Sequence, residues 1–193
     1  MMSAIKGTQT EKNLLKSFAG ESQARNRYQM FAKKAIEEGY EQIAGLFNET
    51  ADNERVHAEI FFSFLTAGEA LEITAAYPAG TVGSTYENLL ASAHGENEEH
   101  TVLYPMFAKI AEEEGFKDVA TAYRMISKVE YEHEMRYLKL AENCANEEVF
   151  AKKEKTRWKC RECGYVHEGE KAPGVCPTCK KPQGYFEVKE TNY

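Results

Sequence analysis

Phe31-Ala32-Lys33-Lys34-Ala35-Ile36-Glu37-Glu38-Gly39-Tyr40-Glu41-Gln42-Ile43-Ala44 returns 76 residues later as Phe107-Ala108-Lys109-Ile110-Ala111-Glu112-Glu113-Glu114-Gly115-Phe116-Lys117-Asp118-Val119-Ala120, with eight of the fourteen positions identical. In each copy a charged helical stretch closes on glycine, the residue that best tolerates the left-handed backbone of a helix stop, and a new periodic stretch follows at once. Each copy therefore reads as the corner of a helical hairpin. Outward from the two corners, helical pattern runs from about Thr8 to Glu38, from Glu41 to about Thr66, from near Ser84 to just before Gly115, and from Lys117 to about Ala145. Thr8 with Glu11, and Ser84 with Glu87, carry the spacing of a helix-opening box. Between the hairpins lies Gly68 to Gly83, with Pro78 and Gly80 inside it, which is long enough to cross the length of a bundle. Two hairpins joined by one long crossover differ from an up-down-up-down bundle with three short loops.

The same offset carries Tyr28 onto Tyr104, Glu54 onto Glu130 and His57 onto His133. Glu54-Arg55-Val56-His57 and Glu130-Tyr131-Glu132-His133 are thus two copies of Glu-x-x-His, whose spacing puts both side chains on one helix face. A single copy is mostly incidental surface chemistry. Two copies at the repeat offset, with Glu21 on the first helix and Glu96 and Glu99 on the third, match the pattern of a carboxylate-bridged metal pair held between four helices. Five such acids around one point repel one another strongly unless cations sit among them. Two ferrous or ferric ions nearly balance them, and oxygen-rich ligation suits iron, although manganese or zinc also fit such ligands. Glu98 and Glu132 point to other faces and are expected to be solvated or to lie behind the ligands, whereas His94 and His100 have no repeat mates and are expected to face solvent. Offset 76 places Glu21 on Asn97 instead of Glu96 or Glu99. One residue absorbed by a helix bulge between Glu96 and Tyr104 reconciles the two halves.

After residue 150 the composition changes. Residues 151–193 carry ten Lys/Arg and six Glu, whereas residues 1–150 carry fourteen Lys/Arg and twenty-five Asp/Glu. An acidic body of this kind is a poor partner for nucleic acid or anionic lipid. The expected division is a bundle over 1–150 and a small domain over 151–193. The second part holds Cys160-Arg161-Glu162-Cys163-Gly164 and Cys176-Pro177-Thr178-Cys179, two Cys-x-x-Cys knuckles that specify a tetrahedral metal site. Gly164 lets the first knuckle turn its amides toward the sulfurs. Trp158, Tyr165, Tyr185 and Phe186 supply the small core, and a domain this short needs the metal to fold. Spacing alone divides evenly between iron and zinc. Attachment to a redox-active metal pair favours iron, because zinc carries no electron. Cys144, far from the knuckles in sequence, reads as a small buried hydrophobe.

The N-terminal Met1-Met2-Ser3-Ala4-Ile5-Lys6-Gly7 has no apolar run behind its lysine, so no secretory signal is expected. No stretch has the length of apolar sequence needed to span a bilayer. The expected setting is the cytoplasm, where paired cysteines read as metal ligands and not disulfides.

Taken together, Gly20-Glu21-Ser22-Gln23-Ala24-Arg25-Asn26-Arg27-Tyr28, both Glu-x-x-His motifs, Gly95-Glu96-Asn97-Glu98-Glu99 and the two knuckles resemble the rubrerythrin family over essentially the whole chain. The resemblance implies a mainly α fold: a ferritin-like four-helix bundle with a long crossover between helices two and three, followed by a small rubredoxin-like metal-bound β domain. It further implies that Glu54 and Glu130 bridge two irons, that Glu96 and His133 complete one site, and that Glu21 and Glu99 complete the other, with His57 replacing Glu99 on reduction. Cys160, Cys163, Cys176 and Cys179 would hold a third iron.

The activity implied by the family is peroxidase: hydrogen peroxide is reduced to water in oxidative-stress protection. Electrons come from NAD(P)H through separate reductases or rubredoxin-type donors, and a homodimer or higher homo-oligomer sets one chain's cysteine site beside the partner's metal pair. Tyr28 and Tyr104, beside the ligands, either bond a ligand carboxylate, position peroxide, or simply pack. A ferroxidase or iron-storage role and dioxygen reduction use the same bundle. The attached redox domain separates relay from storage, because a relay needs its metal to stay and cycle. A structural module with zinc in the knuckles leaves the clustered acids unexplained.

Overall fold

In a computed structural model that describes residues 5–192, the helices are α1 (Gln9–Glu37), α2 (Glu41–Ser63), α3 (Thr85–Glu98), α4 (Tyr104–Glu113) and α5 (Lys117–Ala145). The first four residues of the N-terminal stretch read for a signal lie outside the described residues. A π-helical turn at Glu99–Leu103 joins α3 to α4, so the third helix of the bundle is α3 and α4 together. Among the described residues no helix is long and apolar enough to cross a membrane.

Local chemistry sets these limits. Ser84 and Glu87 form a complete capping box at α3, while at α1 the Thr8 hydroxyl accepts from Glu11 N–H at 3.1 Å and the Glu11 carboxylate reaches back to Gly7 N–H. At the corners Gly39 and Gly115 take φ of +80° and +89°. There Tyr40 N–H donates to Ala35 and Phe116 N–H to Ala111, closing both helix ends in the same way. α2 stops at Ser63, three residues short of the expected Thr66, and the crossover that follows contains no regular element. Tyr77 fastens it to the bundle by donating its hydroxyl to the Lys16 carbonyl at 2.7 Å.

The internal repeat is structural as well. Glu38 accepts the Thr85 N–H at the start of α3 (2.8 Å), and its repeat mate Glu114 accepts the Gln9 and Thr10 N–H groups at the start of α1 (3.0 and 2.8 Å). Each corner therefore caps the opening helix of the other hairpin, where a carboxylate also meets the positive end of the helix dipole. Burial opposes ionisation at both, but hydrogen bonds from Thr85, with the Lys34 charge, at Glu38, and from the Thr10 hydroxyl and the Thr10 and Gln9 amides at Glu114, prevail and hold each carboxyl below its usual range. Two aromatic clusters follow the same offset. Tyr28, Phe31, Phe47 and Tyr137 pack on one side of the bundle centre, and Tyr104, Phe107, Tyr123 and Phe61 on the other.

The C-terminal part is an antiparallel sheet of order β2-β1-β3, from β1 (Ala151–Cys160), β2 (Val166–Lys171) and β3 (Phe186–Val188). Trp158, fully buried with its indole N–H on the Gly169 carbonyl, packs with Phe186, Tyr165 and Tyr185 as the expected core. This domain rests on the first hairpin corner. Tyr40 stacks flat on Phe150 at 5.9 Å between ring centroids, Arg161 lies over Gly45, and Gly184 abuts the Gly39 carbonyl. A methyl group at position 184 would run into that carbonyl oxygen, and backbone atoms yield less than side chains. Overpacking of this kind costs about 1–3 kcal/mol. Gly184→Ala is expected to loosen the docked domain without unfolding the bundle, seen as faster proteolysis between α5 and β1. Unchanged cleavage would show that the contact is yielding.

Candidate metal centres

Four helices deliver carboxylates and imidazoles to one point. Glu21 comes from α1, Glu54 and His57 from α2, Glu96 from α3, and Glu130 and His133 from α5, all of them buried. Ligand atoms of Glu21, Glu54, His57 and Glu130 lie within 4.8 Å of one another, and so do those of Glu54, Glu96, Glu130 and His133. Glu54 and Glu130 belong to both groups, which is the geometry of two bridging carboxylates between two adjacent cation positions.

The donor set tests whether a metal pair fits. Glu21 Oε2, Glu54 Oε1, Glu96 Oε2, both Glu130 oxygens and His133 Nδ1 are buried and make no hydrogen bond. Some of these atoms stand close, His133 Nδ1 to Glu130 Oε2 at 2.8 Å for instance, yet they share no donor geometry. Buried polar atoms rarely go unpartnered. Six of them converging on two points is the arrangement that a pair of cations satisfies. Burial first, then the charges of Glu54 and Glu130, push the Glu21 and Glu96 carboxyls well above the usual range.

Glu99 behaves differently from the others. It sits at the start of the π turn, is only partly buried and belongs to neither group, while His57 occupies the centre. On the Glu21 side a ligand atom of His57, and not one of Glu99, lies among the converging group. The expected bulge between Glu96 and Tyr104 is this π turn, in which Tyr104 N–H donates to the Glu99 carbonyl five residues back. The extra residue lets Glu96 answer Glu21 while Tyr104 still answers Tyr28.

The two tyrosines complete the pseudo-symmetry by crossing. Tyr28 on α1 donates its hydroxyl to Glu96 Oε1 at 2.5 Å, and Tyr104 on α4 donates to Glu21. Burial, then the adjoining carboxylate, raises both phenols well above their ordinary range, so each remains a donor. Partners that orient ligands in this way are typically worth 10–100-fold in metal affinity or activity. Tyr104→Phe should therefore weaken metal binding by about tenfold or more, measured by competition with a chelator. Affinity equal to the parent's would assign the ring to packing alone.

Sequence reasoning overlooked one cluster. His94 is exposed as expected, but His100 is not a solvent-facing residue: its Nε2 lies 2.5 Å from Glu134 Oε2. Asn97 donates to the other Glu134 oxygen at 3.0 Å, and Ser127 donates to the His100 carbonyl. Glu134, next to His133 in sequence, thus ties the end of α3 and the π turn to α5. The signal was the spacing of three between Asn97 and His100, which puts both on the face toward α5. Asn53, whose Oδ1 lies 3.3 Å from His133 Nε2, holds the outer nitrogen of that imidazole and was likewise unremarked. Glu98 and Glu132 are exposed, and Cys144 is half-buried against the Phe31–Phe47 cluster.

The four knuckle sulfurs also converge. Cys160 and Cys179 stand 3.7 Å apart, as do Cys163 and Cys176. That is far beyond a disulfide bond, and it matches the ~3.8 Å edge of a tetrahedron with ~2.3 Å metal–sulfur bonds. The knuckles are near copies: Gly164 and Lys180 follow their second cysteines with φ of +76° and +65°. Amides of Glu162 and Cys163 face Cys160, and those of Thr178 and Cys179 face Cys176. Burial works against the Cys176 thiolate, but these donors bring its thiol down to about 7.

Comparison with known proteins agrees with both centres. The family model described as Rubrerythrin matches residues 12–141, and that described as Rubrerythrin, rubredoxin-like domain matches residues 158–187. The chain is 59% identical over 193 residues to rubrerythrin of Porphyromonas gingivalis, covering all of this chain and 96% of the other. It is 50% identical over 192 residues to rubrerythrin of Nitratidesulfovibrio vulgaris, covering 100% of both. Among solved structures, fully reduced, all-ferrous nigerythrin aligns over 97% of this chain and 93% of its own, with 31% identity and a TM-score of 0.64. By its bundle, its cysteine domain and these likenesses, the chain belongs to the rubrerythrin family.

Proposed function

We propose that this chain is a peroxidase that reduces hydrogen peroxide to water, using two irons in the bundle and one in the cysteine site. The observation that carries this reading is the joining of an enclosed centre for two metals to a four-thiolate site on one chain. A storage protein has no use for the second site; a centre that must be re-reduced after every turnover has. Iron is favoured over zinc by the same need, and by the all-ferrous state named for the solved nigerythrin. Bound between these carboxylates, an iron pair supplies Lewis acidity and two electrons.

The residues around it do the rest. Glu54 and Glu130, common to both ligand groups, would hold the two metals together, and Glu96 and His133 would complete one side. His57, and Glu99 at the start of the π turn, would be the alternative ligands beside Glu21. Tyr28 and Tyr104 keep Glu96 and Glu21 in place through the cycle.

Electrons reach the cysteine site from NAD(P)H through a separate reductase or a rubredoxin-type carrier. Within one chain the cysteine domain meets the bundle well away from Glu54. Arg161 rests at Gly45, nine residues before Glu54 on α2, a rise of ~14 Å before the length of the arginine is added. Electron tunnelling decays steeply with distance, so the relay runs between chains of a homodimer, the basic small domain meeting the acidic bundle of the partner. A cytoplasmic setting fits this chemistry. Rapid mixing of the anaerobically reduced protein with each oxidant tests the assignment: peroxide should oxidise both iron chromophores at least tenfold faster than dioxygen. A faster reaction with dioxygen would replace the peroxidase by an oxidase.

A further inference from the structure

A cavity of about 310 Å³ lies between α1, the π turn and the crossover. Glu99 and Tyr104 line it. Both belong to the metal centre's surroundings: Tyr104 donates to Glu21, and Glu99 feels the charges of Glu130 and Glu54. The cavity is much larger than hydrogen peroxide requires. At roughly 30 Å³ per water in liquid, it has room for about ten waters, whereas peroxide takes the space of about two. Its size sits at the lower end of the 300–1,000 Å³ typical of pockets for organic ligands. The lining is also mixed in chemistry. Arg27 and Gln23, themselves joined by a 2.7 Å hydrogen bond, line it with Lys16, Glu98 and Glu99 as polar residues, and Tyr77, Pro78, Met106 and Phe107 as apolar ones.

From this we infer that the cavity binds the organic group of an alkyl or aryl hydroperoxide and presents its O–O bond at the Glu99 side of the centre. The substrate range then includes organic hydroperoxides of about ten non-hydrogen atoms as well as hydrogen peroxide. The inference rests on the peroxidase reading above. The overall step is ROOH with two electrons and two protons giving ROH and water. The O–O bond breaks, two O–H bonds form, the reduced metal pair gives both electrons and solvent gives both protons.

Gly95 offers a way to close the cavity without touching the centre. It lines the wall, and a Cβ built there meets no atom within 4 Å, so a larger side chain enters open space. Two measurements on the full-length chain test the idea. In the first, 2-phenyl-2-propanol, the unreactive alcohol product of cumene hydroperoxide, is titrated into zinc-loaded protein and the Met106 methyl resonance is followed. Saturable shifts are expected, and Gly95→Leu should weaken them at least tenfold. In the second, reduced protein meets cumene hydroperoxide or hydrogen peroxide. Gly95→Leu should slow the former at least tenfold and the latter less than twofold. If hydrogen peroxide reacts normally while the alcohol fails to bind, or if the variant slows both peroxides equally, the cavity assignment is wrong and the peroxidase reading stands. If neither peroxide oxidises the reduced protein, both fall together.

Discussion

Cys176→Ala should leave the first turnover intact and remove the following ones. On the proposed reading chemically reduced protein would carry two electrons in the bundle, enough for one peroxide per chain, and that centre shares no ligand residue with the knuckles. If the proposed relay operates, steady turnover supported by NAD(P)H, a reductase and a rubredoxin-type carrier would depend on the four-sulfur site and should fall by two orders of magnitude or more. Cys176 is the most telling of the four cysteines because it is fully buried and its thiol is the one brought down to about 7. Its removal takes away both a ligand and part of a small core that needs metal to fold. A second sample separates those effects. Zinc in place of iron at the cysteine site keeps the tetrahedron and the fold but carries no electron, so it must produce the same loss of steady turnover. Turnover persisting at the parental rate in the zinc-substituted chain would show that donors reach the bundle directly, and the relay would have no role.

Much of this architecture was legible because the repeat made each half a check on the other. Offset 76 located both corners and both Glu-x-x-His motifs, and the one place where it failed, Glu21 against Asn97, marked the π turn that the structure contains. The knuckles were equally plain, since two Cys-x-x-Cys pairs admit few geometries. What stayed hidden depends on the spatial relation of elements far apart in sequence. Glu38 and Glu114 look like ordinary exposed helix-end acids until the hairpins are laid side by side and each is found capping the other's opening helix. His100 seemed a surface residue because it lacks a repeat mate, yet that lack reflects its place in the inserted turn, the one segment where the halves differ. Which of His57 and Glu99 has a ligand atom in the cluster was likewise beyond periodicity. Both stand at helical spacings that reach the centre, and only packed coordinates show which one is inward.

Without metal the bundle centre should make the protein less stable as the pH rises, and metal should reverse that trend. Burial alone would lower the pKa of both imidazoles, but Glu130 and Glu54 outweigh it, raising His57 to about 10 and His133 to about 9. A histidine raised in the folded state contributes stability that is fully present below its unfolded pKa of about 6.5 and is lost as the pH climbs through those two values. Glu21 and Glu96 act in the same direction, because burial and neighbouring carboxylates keep them protonated where an unfolded chain would ionise them. Glu54 opposes them only in acid. Burial would raise it, the imidazoles of His133 and His57 bring it down to about 2, and its contribution is lost only as the pH falls toward that value. Between pH 6.5 and 10 the balance therefore runs one way, and the thermal midpoint of the metal-free chain should fall steadily across that range. Cations at the two shared positions do the work of those protons with no such pH limit, since ligands must be deprotonated to bind and metal uptake releases protons. The loaded protein should therefore hold or raise its midpoint over the same range, and adding metal near pH 7 should acidify an unbuffered solution. Parallel pH profiles with and without metal would mean that the acids and imidazoles do not share one enclosed centre, and the paired-metal chemistry would have no place to occur.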